Sequence, residues 1–126
     1  MKFPENVKYT NDHEWIRVEE GVAYVGITDY AQDQLGEIVF VDIAKEDETI
    51  EKSEVFGSIE AVKTVSDLLM PVTGKVLEVN GALEDEPELV NSDPYGKGWI
   101  IQIEVAEAYQ LDELMTADKY AEFVGQ

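Results

Sequence analysis

The chain has 126 residues, 44% of them hydrophobic, with two Trp, six Tyr and four Phe. That is enough for one core and excludes a disordered acidic tail. Against 9 Lys and Arg stand 28 Asp and Glu, a net charge of −19, a field that repels nucleic acid and anionic membrane and favours basic protein surfaces.

Residues 1–8 read as a loosely held lead-in with neither an apolar signal core nor an Arg/Ser-rich transit pattern. No apolar run approaches the length of a bilayer span, and a cytoplasmic protein is expected. Segment 13–19 is rich in β-formers and predicts a strand, and Glu20-Gly21 turns it into a second, well-buried strand over 22–27. Thr28 and Asp29 offer an N-cap for a short helix through Tyr30, Ala31 and Leu35, which Gly36 is placed to end. A strand over 37–43 follows, then a polar loop over 44–49.

After the apolar segment 55–60 comes Lys63, and then Leu68-Leu69-Met70. A strand-turn-strand reading puts Lys63 at a reversal with its ammonium in solvent. No Gly, Pro or Asn stands beside it, so the usual hairpin chemistry is missing, and from pattern alone 60–65 also fits a helical turn or the middle of one long strand. Pro71 to Gly74 punctuates the chain, because proline cannot donate to a central ladder. Segment 75–80 alternates as a strand, with Val76 and Leu77 competing for the core, and Asn80-Gly81 signals a turn. Residues 82–98 form a long loop with a helical turn at 88–91. A last strand is expected over 99–105; from Ala106 the apolar period turns helical through Leu111, Leu114, Tyr120 and Phe123, with a cap at Thr116. Many short strands, frequent turns and little helix before the C-terminus predict a small β-sandwich or flattened barrel.

An independent enzyme needs converging groups, and they are scarce. The chain has no cysteine, hence no disulfide framework, no thiolate nucleophile and no cysteine zinc site. The one histidine, His13, has no metal-ligand partner motif and reads as a structural, hydrogen-bonded residue. Trp15 and Trp99 read as core or loop anchors. The glycines are too scattered for a phosphate-cradling loop. The acidic blocks 46–48 and 84–86 lack the alternating ligand spacing of a calcium loop and read as solvated. What remains is Lys63 as an attachment point: acylating its amine removes the charge, so that an arm can enter an apolar pocket at lower desolvation cost.

Several motifs together carry a family resemblance over nearly the whole length. They are Tyr9 with His13-Glu14-Trp15, the run from Gly26 to Gly36, and Val39-Phe40-Val41. Glu60-Ala61-Val62-Lys63 with Ser66-Asp67 follows, then Pro71-Val72-Thr73-Gly74 and Glu78-Val79-Asn80. Pro87-Glu88-Leu89-Val90-Asn91 and the run from Asp93 to Trp99 complete the set. In these the chain resembles the H proteins of the glycine cleavage system.

The resemblance implies a mostly β, lipoyl/biotinyl-type sandwich with a short internal helix and a C-terminal helical extension. One domain is expected over 1–126, its core at about 15–105 and the extension at about 106–126. It implies a carrier with no catalytic residue and no metal, bearing lipoate covalently on Lys63. The arm would take an aminomethyl group from a pyridoxal-phosphate glycine decarboxylase and offer it to a tetrahydrofolate-dependent aminomethyltransferase. A flavin (FAD) dihydrolipoyl dehydrogenase would then reoxidise it. At full extension such an arm reaches roughly 14 Å from the backbone, and tethering gives its group an effective concentration on the order of millimolar.

By the same resemblance Glu60 and Gly74 match positions recognised by lipoate-attaching enzymes. Glu14 and Asp67 match a cleft that shelters the loaded arm, where a carboxylate pairs with its amine. Ile27, Leu35 or Val62 would supply apolar walls. The chain departs from the family in having Ala61 for Ser and Thr64 for Ala beside the lysine. Asp12 and Met70, where Ser and a small polar residue are usual, fall where the cleft is expected. Two readings compete: a lipoyl carrier specialised for lipoate relay or redox signalling, and the lipoyl domain of a 2-oxo acid dehydrogenase. The second would carry Asp-Lys-Ala where this chain has Val62-Lys63-Thr64, and would lack the C-terminal extension.

Overall fold

The computed structural model describes residues 1–43 and 46–126. Among them two antiparallel sheets form. One has six strands: β1 (Lys8–Tyr9), β2 (Glu14–Glu19), β3 (Val22–Ile27), β5 (Thr49–Ile50), β8 (Gly74–Val79) and β9 (Ile101–Val105), in the order β1-β2-β3-β9-β8-β5. The other has β4 (Ile38–Ile43), β6 (Val55–Ala61) and β7 (Val65–Leu69), with β6 in the middle. This is the mostly β, flattened sandwich that the strand-rich sequence predicts.

Alternation explains which faces meet. Ala23, Val25 and Ile27 of β3 and Ile101 and Ile103 of β9 point inward and are buried, as are Phe56, Ile59 and Ala61 of β6 and Leu68 of β7. The step from Phe56 to Ile59 breaks the two-residue period because the β6–β7 register shifts between Val55 and Gly57. Val76 wins the core position from Leu77, which is only half buried.

Between β3 and β4 lies α1 (Asp29–Leu35). Thr28 caps it, its hydroxyl oxygen accepting from the Ala31 amide at 3.1 Å. Gly36, at φ 82°, ends it in a left-handed conformation that suits glycine. The expected loop over 82–98 holds two helical turns, α2 (Ala82–Asp85) and α3 (Leu89–Ser92). The extension is a 3-10 helix (Ala108–Glu113) followed by α4 (Ala117–Phe123), capped by Thr116. Of the polar loop expected over 44–49, the first two residues lie outside the described set; Glu46, Asp47 and Glu48 are solvent-exposed and Thr49 opens β5.

Two expectations need correction. The lead-in is not loosely held: Val7 is buried, the Lys2 amide donates to Asp29 Oδ2 at 2.8 Å, and the Tyr95 hydroxyl donates to the Lys2 carbonyl at 2.8 Å. Nor does the apolar interior stop at residues 15–105. A second cluster joins Val7, Tyr9 and Trp15 to Ala117 and Tyr120, with Tyr9 and Tyr120 stacked at 4.6 Å. Local periodicity has no means of showing that these distant ends meet. No helix among the described residues is long and apolar enough to cross a membrane.

Candidate functional site

Strands β6 and β7 pair Glu60 with Val65 and Ile59 with Ser66, and the chain reverses between them through Val62, Lys63 and Thr64. The Ala61 amide donates to the Thr64 carbonyl at 2.8 Å, closing the reversal. Residues 62–64 all keep negative φ, so the turn needs no left-handed residue. That is why Gly and Asn are absent from a real hairpin. The Val62 amide donates to the Glu37 carbonyl at 3.1 Å, bracing the tip against the segment before β4.

Lys63 is exposed to solvent. Among the described residues the ion pairs are Arg17 with Glu19 and Lys52 with Glu113, so its ammonium stands unpaired. Its surroundings are unusually apolar: Val62 is 66% exposed, Val65 63% and Phe40 55%. Glu60 lies between Phe40 of β4 and Val65 of β7 in the register and faces solvent. The expected cleft wall at Val62 is therefore part of this exposed rim instead.

Behind the hairpin, the edge of β7, helix α1 and the turn before β2 enclose a cleft of about 210 Å³. Ile27, Ala31, Leu35, Ile59 and Leu68 give it apolar walls, and Asp12, His13, Glu14 and Asp67 gather polar groups on its lining. Glu14 and Asp67, 53 positions apart in sequence, thus share one concavity. Met70 does not join it; this buried side chain lines the hollow on the other side of Asp12, with Lys52, Leu114 and Met115.

Glu14 is only 3% exposed. Burial pushes its carboxyl up to about 8, against the opposing pull of hydrogen bonds from Thr10 and Leu69. Oε1 accepts from the Thr10 hydroxyl at 2.9 Å, and Oε2 accepts from the Leu69 amide at 3.3 Å. That amide faces outward from the edge of β7, where no further strand among the described residues pairs with it. His13, held at φ 70°, places its Nδ1 at 2.8 Å from the Tyr120 hydroxyl. Burial lowers its basicity, and neighbouring Asp12 partly restores it. The histidine is hydrogen-bonded, as its lack of ligand partners suggested.

Gly74 sits apart. It is buried at the start of β8 in the six-stranded sheet, where a Cβ would meet the Glu104 carbonyl oxygen at 2.7 Å. Sequence reasoning missed Thr10, whose signal was its place at the head of the polar turn Asn11-Asp12-His13, four residues before Glu14. A hydroxyl there commonly bonds local backbone amides.

The group a lysine at such a tip would carry has a fit in these residues: an exposed, unpaired amine to acylate, and an apolar cleft ending in carboxyls for a chain with a basic terminus. Comparisons with known proteins give the family. The family model described as Glycine cleavage H-protein matches residues 7–126. Glycine cleavage system H proteins are 66% identical in Bacteroides fragilis and 61% in Bacteroides thetaiotaomicron, each over 120 residues and 95% of both chains. That of Brevibacillus brevis is 56% identical over 124 residues and 98% of both chains. The crystal structure of a glycine cleavage system H protein from Mycobacterium marinum superposes with a TM-score of 0.89 at 40% identity, covering 98% of this chain and 99% of that one.

Proposed function

The chain belongs to the glycine cleavage H-protein family, and on that premise we propose that it is the lipoyl carrier of that system, with lipoate in amide linkage to Lys63. When bound, the dithiolane would accept an aminomethyl group from glycine, surrender it to a folate-dependent transferase, and return to the disulfide through a flavin dehydrogenase. The chain's own residues present, shelter and release that arm; none of them performs the chemistry. The decarboxylase, the aminomethyltransferase, dihydrolipoyl dehydrogenase and the lipoate-attaching enzymes are its partners, met in the cytoplasm.

One observation supports this most directly. The exposed, unpaired Lys63 sits at the end of the hairpin whose second strand, β7, forms one wall of the apolar cleft. The tether and its shelter are thus parts of one element. The five apolar walls suit the hydrocarbon chain, and Glu14 and Asp67 suit an amine at its end. Glu60, exposed beside the tip, is placed for direct reading by an attaching enzyme. Gly74, buried in the other sheet, contributes through the geometry of β8.

Intact-mass and peptide analysis of protein made with lipoate tests the site. One lipoyl increment on Lys63 is expected; an increment on Lys75, or none, overturns the assignment. Lys63→Arg should keep the fold and abolish stimulation of the decarboxylase, and retained stimulation would refute a tethered arm.

A further inference from the structure

We propose that Thr10 is a positioning residue which assigns separate duties to the two oxygens of Glu14, reserving Oε2 for the amine of the docked arm. This rests on the reading of the cleft given above and deepens it.

The argument is one of hydrogen-bond capacity. A threonine hydroxyl has one hydrogen to give and two lone pairs. Both lone pairs of Thr10 are occupied by main-chain donors, the Asp12 amide at 3.2 Å and the Glu14 amide at 3.1 Å. Its hydrogen is therefore committed to Glu14 Oε1, 2.9 Å away. Thr10 is itself buried, and its own amide donates to the Glu14 carbonyl at 2.9 Å. Backbone on both sides thus fixes the hydroxyl, and the hydroxyl fixes the carboxyl.

Oε1 is in consequence held by a short bond from a fixed donor. Oε2 holds only the long 3.3 Å bond from Leu69 and keeps capacity for another donor. A primary ammonium entering along the apolar walls finds Oε1 held by the shorter bond from a fixed hydroxyl and Oε2 held only by the longer bond from the Leu69 amide. The other titratable groups around the carboxyl are Asp12 and His13 in the same turn, Tyr30 of α1, Asp67 of β7 and Tyr120 of α4. Among the described residues none of them hydrogen-bonds either Glu14 oxygen, so Thr10 alone among side chains sets its orientation.

The test follows the Glu14 carboxyl by carbon NMR titration of the full unmodified chain, with Thr10→Val and Thr10→Ser alongside. Thr10→Val should raise the titration midpoint by about one unit, the effect of losing one hydrogen bond to a charged group. It should also shorten the lifetime of the loaded carrier several-fold. Thr10→Ser, which keeps the hydroxyl, should restore both. An unchanged midpoint in folded Thr10→Val, or no rescue by serine, overturns the proposal. Should Thr10→Val not fold, the wild-type protein decides: a slowly exchanging Thr10 hydroxyl proton with a cross-peak to Glu14 is expected, and a freely exchanging one refutes it. Glu14→Ala separates this from the cleft reading: if that change leaves the loaded lifetime intact, the cleft assignment fails whatever the Thr10 titrations give.

Discussion

The Tyr120 hydroxyl lies 2.8 Å from His13 Nδ1, across 107 residues of sequence. The same hydroxyl lies 2.8 Å from Thr28 Oγ1, the cap of α1. One phenol on the last helix therefore holds both the turn that delivers Glu14 and the start of the helix that supplies Ala31 and Leu35 to the cleft. The C-terminal extension thus braces the proposed shelter from behind without lining it.

Tyr120→Phe should expose what that fastening contributes. The ring would keep its stacking on Tyr9, while His13 and Thr28 would each lose a buried partner. A loss of about 1–2 kcal/mol is expected, seen as a melting temperature lower by roughly 4–8 °C. Lipoylation should persist, because Lys63 stands on the reversal between β6 and β7, away from the His13 and Thr28 partners of the Tyr120 hydroxyl. An unchanged melting temperature would mean that stacking alone secures α4.

Asn91 should matter to the hairpin without touching it. Its Oδ1 accepts from the Ile38 amide at 2.9 Å, and its Nδ2 donates to the Gly36 carbonyl at 2.8 Å and to Gln32 Oε1 at 2.9 Å. Between Gly36 and Ile38 lies Glu37, whose carbonyl receives the Val62 amide. Asn91→Ala should cost about 2–4 kcal/mol in urea unfolding. It should also speed hydrogen exchange at Val62 beyond what the global loss explains. Exchange that merely follows global stability would show the tip to be held by its own closing bond.

The strands were legible where alternation was clean, as in β3 and β9, and the cap and terminator of α1 could be read from Thr28 and Gly36. The tip was ambiguous because sequence rules for hairpins look for left-handed residues, and this reversal uses none. The cleft was legible only through family likeness. A glutamate before Trp15 carries no local sign that it will be buried, since its burial comes from β7 and the Thr10 turn folding over it. The strand expected over 13–19 starts at Glu14 because His13 occupies a left-handed conformation, which no β-propensity reveals. Val7, Tyr9 and Tyr120 escaped for a plainer reason: their shared cluster is assembled from opposite ends of the chain.

Gly74→Ala tests whether that glycine serves recognition directly or through the fold. The added methyl would meet main chain, the Glu104 carbonyl oxygen at 2.7 Å, as well as Ile103 Cδ1 at 3.2 Å. Backbone within a paired strand has little room to yield, so a loss of about 1–3 kcal/mol is expected. Lipoylation by purified ligase should fall only in step with the folded fraction. A steep drop in protein that remains folded would instead make Gly74 a contact of the attaching enzyme.

Glu14 should give the protein a pH dependence opposite in sign to that of a salt-bridged carboxylate. Its folded value, about 8, lies above the ordinary value of 4.5. Below the lower value the group is neutral in both states, and its burial costs no charge. Between the two values the unfolded chain has released a proton that the folded chain retains, so stability falls as pH rises, by up to about 1.4 kcal/mol per unit. The loss is complete once the folded group ionises. The background of −19 also weakens the fold as carboxylates ionise, so the measurement is a difference. Relative to Glu14→Gln, wild-type protein should lose roughly 3 kcal/mol in urea unfolding between about pH 5 and pH 8. Parallel curves would mean that Glu14 is already charged in the fold. An ammonium placed against Oε2 favours the carboxylate. Loading the arm should therefore flatten the wild-type curve, and docking near neutral pH should release a proton from Glu14.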